Sequence, residues 1–194
     1  KDCKDTQFMF EEILAKIGDS LSRNNIPYMI IGGQAVLLYG EPRLTRDIDI
    51  TLGVNTDRIN EFLAILKEIS LKPLPEDIES FVKQTMVLPA LDETTGIRVD
   101  FIFSFTSYET GAIKRAKKIK ILNQEVCFAS VEDVIIHKIF ASRPRDLEDV
   151  RTIILKNPEI DVQYIRNWLK EFDVSSDKKD FLKTFEDILK IAGH

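Results

Sequence analysis

The sequence predicts a mixed α/β (α+β) protein, with a twisted mixed sheet flanked by helices over residues 1–129 and a helical appendage over residues 130–194. Three observations predict it. Up to Phe128, short apolar runs of strand length alternate with stretches of helical period. Beyond Ser130 only the helical period remains. Within the first of these regions, the stretch IIGGQAVLLYGEPRLTRDIDITL joins a strand, a glycine pair, a helix and a second strand that carries Asp47 and Asp49.

A chain of 194 residues is long enough to bury about 70% of its unfolded surface. At 44% hydrophobic and 30% charged residues it reads as an ordinary soluble protein. No apolar run approaches the roughly 20 residues that span a bilayer, and no signal peptide precedes the first helix; the numbering opens on Lys1 rather than Met. Cys3 with Cys127, and His137 with His194, offer neither zinc spacing nor a disulfide framework, so a reducing cytoplasm is the expected location. The formal charge of −5 argues against a generic nucleic-acid coat, although a local basic patch can coexist with a negative total.

Phe8, Ile13, Leu14, Ile17 and Leu21 recur at helical spacing, which predicts an amphipathic helix over about residues 5–24, ended by Asn24-Asn25 and Pro27. An apolar strand, 28–31, breaks at Gly32-Gly33. A helix follows over 34–39, then a turn at Gly40-Glu41-Pro42, then the strand with Asp47 and Asp49. Asn55-Thr56-Asp57 supplies capping residues for a helix running to Ile69, which Pro73 and Pro75 break. A helical turn is expected over 76–83, then two strands, 84–91 and 97–103, about the polar loop 92–96. Residues 108–116 read as helix. Lys114, Arg115, Lys117, Lys118 and Lys120 form a basic run, either a solvated face or an RNA contact, and 119–122 with 125–128 read as a hairpin. Ser130 to Asp133 resembles a capping box opening a helix that ends at Arg143, where Pro144 suits the first turn of the next. Residues 160–172 and 180–192 complete four amphipathic helices.

Strand residues alternate faces, so Asp47 and Asp49 share one side while Ile48 and Ile50 take the other. In IRVDFIF the same alternation groups Arg98, Asp100 and Ile102 opposite Val99, Phe101 and Phe103. Two carboxylates about 5 Å apart at an effective dielectric near 20 repel by about 3 kcal/mol. A hard divalent cation such as Mg²⁺ relieves this, held by one or two carboxylates with substrate phosphates completing its shell; the alternative is an aspartate turned to solvent or capping a turn. Gly32-Gly33 permits positive φ and close approach of a ligand, and the helix that follows presents N–H groups suited to phosphate. Neither the Walker nor the dinucleotide glycine pattern is present.

The order Gly-Gly, helix, Asp-Ile-Asp strand, then a later lone Asp on a strand resembles the nucleotidyltransferase superfamily that includes DNA polymerase beta, poly(A) and CCA-adding enzymes and aminoglycoside nucleotidyltransferases. Within it, GGQAVLLYGEPRLTRDIDI is most similar to the AbiEii-type nucleotidyltransferases, some of which are toxins of toxin–antitoxin pairs. The resemblance covers about residues 27–154 and implies a minimal nucleotidyltransferase fold. It implies a Mg²⁺- or Mn²⁺-dependent transfer of an NMP from an NTP to a hydroxyl. Asp47, Asp49 and Asp100 would be catalytic and metal-binding, with Gly32, Gly33, Thr45 and Arg46 near the phosphates. HKIFASRPRDLEDVRTII resembles the segment after the sheet in AbiEii-type enzymes, which carries Lys138 to the triphosphate and Asp146 with Asp149 to support of the cleft. These acids also lie near a helix N-terminus, where they favour the dipole in any case; Lys138 has no evident structural use on an isoleucine-rich helix. Glycine at position 33, where serine is frequent, leaves a backbone cradle. The implied partners are an NTP, an RNA or tRNA acceptor or a protein hydroxyl, and an antitoxin; a nucleotide-binding module that transfers nothing is the alternative.

Overall fold

The computed structural model describes residues 3–176 and 180–193, with side chains from residue 6; the Cys3 side chain and His194 lie outside the described residues. The mixed α/β architecture expected from the sequence is the one observed. Among the described residues seven strands form one sheet in the order β3-β4-β5-β2-β1-β7-β6, where β1 is Tyr28–Ile31, β2 Asp47–Leu52, β3 Lys72–Pro73, β4 Val87–Asp92, β5 Ile97–Phe103, β6 Lys117–Ile121 and β7 Gln124–Phe128. The pairs β2–β5 and β1–β7 are parallel and the others antiparallel, so the sheet is mixed.

The chain divides into two compact units. The first comprises residues 1–33 and 45–128, and the second comprises residues 34–44 and 129–194.

In the first unit one side of the sheet is apolar and covered by helices. Ile48, Ile50, Val99, Phe101 and Leu88 are fully buried. Helix α1 (Cys3–Arg23) packs on β7, so closely at Gly18 that a Cβ there would stand 2.9 Å from Tyr28 Oη and 3.0 Å from Val126 Cγ2. In α3 (Ile59–Glu68) Phe62 meets Phe101 and Phe103 edge-on, with ring centroids 4.9 and 5.6 Å apart. Burying each such ring contributes about 2 to 3 kcal/mol. The Asp-x-Asp alternation is a consequence of this side: Ile48 and Ile50 must point to the helices, which sends Asp47 and Asp49 the other way.

Local boundaries differ from the sequence expectation in several places, and the short β3 is an addition to it. The first turn of α2 (Gly32–Tyr39) includes the glycine pair, since Gly32 with φ +65° turns the chain directly into the helix. Helix α4 (Ile78–Thr85) takes Gln84 and Thr85 from the expected strand and ends at Met86, which adopts a left-handed conformation before β4. Strand β6 begins at Lys117, so three of the basic residues after α5 (Ser107–Arg115) lie on a strand.

The second unit is helical. Helices α6 (Val131–Ala141), α7 (Pro144–Lys156), α8 (Val162–Ser175) and α9 (Phe181–Ile191) pack around Ile135, Ile139, Ile153, Ile154, Ile165, Leu169 and Phe185, all fully buried. Ser130 Oγ accepts from Asp133 N at 3.2 Å and donates to Asp133 Oδ2 at 2.7 Å, closing the start of α6. The stretch 34–44 is tied into this unit by Tyr39 Oη donating to Ala129 O at 2.8 Å and Asn157 Nδ2 donating to Tyr39 O at 2.8 Å. Lys156 Nζ adds a hydrogen bond to Gly40 O at 3.1 Å and an ion pair with Glu41 at 2.9 Å. Among the described residues no helix is long and apolar enough to cross a membrane.

Candidate active site

Strand β2 lies between β1 and β5, and its register fixes what faces what. Asp49 is opposite Asp100 on β5 and opposite Ile31 on β1; Asp47 is opposite Arg98. Directly paired residues project to the same side of a sheet, so Asp47, Asp49, Asp100 and Arg98 share the side away from α1 and α3. The three carboxylates are half-buried.

Gly32 completes this patch. A Cβ at position 32 would lie 2.0 Å from Asp49 Oδ2 and 2.8 Å from its Cγ, closer than any side chain can approach. With φ +65° the residue is also in the region that favours glycine. The glycine expected to let a ligand close to the backbone thus also makes room for a carboxylate of the chain itself. Buried Gly33 follows in the first turn of α2. Just before β2, Thr45 donates from Oγ1 to Asp47 O at 3.3 Å, and Arg46 is exposed.

Arg98 supplies the positive charge on this side. Its Nε donates to Asp100 Oδ1 at 2.7 Å. The hydrogen bond to Asp100, and then the charges of Asp100, Asp47 and Asp49, hold the guanidinium above its ordinary pKa. Sequence alternation places Arg98 beside Asp100; that it bonds the Asp100 carboxylate depends on a rotamer that alternation does not reveal. The described residues do not gather three potential metal ligands around one point. The donor set is nonetheless of the right kind, with three carboxylates on one side of adjacent strands and a guanidinium already attracted to them. Hard-oxygen chemistry of this sort fits Mg²⁺ or Mn²⁺.

The other expected site residues gather in the helical unit. Lys138 on α6 has its Nζ 2.6 Å from Asp146 Oδ1 and 3.1 Å from Asp149 Oδ2, both on α7. Arg43 lies 3.1 Å from Asp149, and Arg143 lies 3.0 Å from Asp146. Lys138 and both aspartates are buried, with side chains 11%, 8% and 8% exposed, so two desolvated carboxylates share one buried lysine, half-buried Arg43 and exposed Arg143. Lys138 therefore has a structural use that its own helix does not disclose, since its partners lie across the Pro144 break. His137, beside it, has its Nε2 sealed from solvent, and burial pushes the ring below its ordinary pKa.

This fold and these acids define a class. Residues 8–190 match the family described as "Nucleotidyltransferase of unknown function (DUF6036)", and the chain belongs to it. No curated protein sequence matches the chain. Among solved structures it is similar to the antibiotic-resistance factor ANT(2'')-Ia, with 18% identity over 90% of this chain and 96% of that one, at a TM-score of 0.56. A nucleotidyltransferase-like antigenic protein from Paracoccidioides brasiliensis shares 19% identity over 90% and 92%, at 0.53. The lincosamide antibiotic adenylyltransferase LnuA shares 16% over 73% and 94%, at 0.51. At these identities the likeness is one of fold.

Proposed function

We propose that the protein transfers a nucleoside monophosphate from an NTP to an acceptor hydroxyl, with Asp47, Asp49 and Asp100 at the reacting end of the sheet. The observation that carries this reading is the parallel β2–β5 register, which sets Asp49 directly opposite Asp100 with Gly32 against the Asp49 carboxylate. Asp47 and Asp49, with Asp100, would hold Mg²⁺ or Mn²⁺. When bound, the cation neutralises the acids and supplies positive charge to the phosphates. The backbone amides that open α2 suit the phosphate tail. An Asp100 carboxylate oxygen takes the proton of the acceptor hydroxyl. The hydroxyl oxygen bonds to the α-phosphorus, the bond from that phosphorus to the bridging oxygen breaks, and pyrophosphate leaves. Thr45 and Arg46 would steer phosphates or the acceptor, and the AbiEii resemblance implies that Lys138 contacts the triphosphate while Asp146 and Asp149 support the cleft.

That resemblance favours an RNA or tRNA acceptor and a toxin role opposed by an antitoxin, in the cytoplasm. Transfer to a protein hydroxyl would show instead as labelled nucleotide on protein and none on RNA. The direct test is thermal unfolding with each NTP, with and without Mg²⁺. An NTP at 100 times its dissociation constant adds about 2.7 kcal/mol, which raises the midpoint of a chain of this size by about 5 to 10 °C. A Mg²⁺-dependent rise with one NTP, lost in Asp47→Asn, is the expected result. Transfer of labelled NMP unchanged in Asp100→Asn would sink the assignment of roles, whereas no transfer by wild type or variant would favour an inert binding module.

A further inference from the structure

The basic run from the last turn of α5 along β6 has no part in the site above. Five of the seven residues from Lys114 to Lys120 are cationic, in a chain whose formal charge is −5. All five are exposed. Lys118 pairs with Glu125 at 3.2 Å, an exposed contact worth little. Lys114, Lys117 and Lys120 have no ion pair among the described residues.

The sheet gives this run a direction. β6 is a terminal strand of the sheet, so its outer rim of backbone N–H and C=O groups has no strand partner among the described residues. Register across the sheet links Lys117 to Phe128, Phe128 to Ile30 and Ile30 to Ile50. Those residues lie on the helix-covered side. Alternation then puts Lys118 and Lys120, opposite Cys127 and Glu125, on the side that carries Asp49 and Asp100. β6 is three strand spacings from β2, about 14 Å. Along the strand Lys118 and Lys120 stand about 7 Å apart, an extended ladder of positive charge rather than a single pocket.

We infer that this basic edge strand, with Lys118 and Lys120 on the carboxylate side and Lys117 on the opposite side of the same open edge, is the docking surface for the sugar-phosphate backbone of a single-stranded RNA acceptor. The inference rests on the nucleotidyl-transfer reading, which requires an acceptor hydroxyl, and adds which acceptor and where it is held. A linear cationic edge on the carboxylate side suits a polyanionic strand. A small neutral or cationic acceptor would gain nothing from it. The opposing explanation is that the lysines only guard an open edge against strand pairing between copies.

The two are separated by fluorescence anisotropy of a short fluorescein-labelled single-stranded RNA on the full chain, with a chelator and no NTP. Wild type should bind. The triple variant Lys117→Glu, Lys118→Glu, Lys120→Glu should bind at least about tenfold more weakly, and the corresponding triple Lys→Arg variant should bind as wild type. A milder triple Lys→Gln set should lower the slope of log affinity against log salt by about 2, as expected for three lost phosphate contacts at 0.7 each. Far-ultraviolet dichroism and the NTP-dependent midpoint shift should be unchanged in all of them. RNA binding unaffected by the Gln and Glu sets, or absent from wild type, overturns the surface. So does a Gln set that self-associates while binding RNA normally. If instead RNA binds through β6 but no NTP shifts the midpoint, the surface stands and the transfer reading falls.

Discussion

Gly32 and Arg98 set the state of the carboxylates. Gly32→Ala places a methyl group in the volume of Asp49 Oδ2 and forces a left-handed conformation on a residue with a Cβ. The conformation alone costs about 1 to 2 kcal/mol, and the displaced carboxylate adds to it, so urea unfolding should show a loss of about 2 to 3 kcal/mol. Combining it with Asp49→Ala should cost less than the sum, because the two share one contact. Arg98 competes with any cation for Asp100. Since its side chain is 52% exposed, the pair is worth about 1 kcal/mol at most, and Arg98→Met should tighten Mn²⁺ binding, followed by calorimetry, by roughly fivefold. Weaker Mn²⁺ binding would mean that Arg98 orients Asp100 for the metal rather than opposing it. The three aspartates were legible in the sequence because strand alternation is local and absolute in parity. The contact between Gly32 and Asp49 was not, since it joins the first residue of α2 to one on β2 through a turn conformation that sequence spacing leaves open.

The helices carry a different lesson. The starts of α6 and α7 could be read directly from Ser130 and Pro144, as capping and the missing proline N–H act over one turn. The two-residue β3 and the extension of α4 to Thr85 escaped notice because pairing with β4 and a left-handed Met86 decide them, and neither leaves a periodic signal. The partners of Lys138 were likewise hidden, since α6 and α7 must first pack before Asp146 and Asp149 face it. Lys138→Met would leave those carboxylates buried with only Arg43 and Arg143 as counter-ions. Breaking a buried pair in this way costs about 3 kcal/mol. The urea midpoint should fall accordingly with an unchanged m-value.

The molecule as a whole should lose stability on the acid side for a nameable reason. Burial holds the His137 ring neutral to below its ordinary 6.5, whereas the unfolded chain protonates there. The unfolded state therefore binds more protons, and the contribution of this residue is complete above about pH 6.5 and declines as the pH falls below it. Thermal midpoints measured from pH 7.5 down to 5 should drop more steeply for wild type than for His137→Gln; parallel curves would show that other groups govern the decline.

The helical unit is also spliced. Its residues 34–44 come between β1 and β2 in sequence, yet Tyr39, Gly40 and Arg43 spend their hydrogen bonds and charge on Ala129, Lys156, Asn157 and Asp149. Such a layout resists modular exchange. A single genetic crossover cannot transplant the helices into another scaffold, because one of their segments stays behind with the donor's β1 and β2. Cutting the gene between residues 129 and 130 should give two halves that fail to fold when expressed singly and reassemble when expressed together, with recovery lost if Asn157 and Tyr39 are both replaced by Ala.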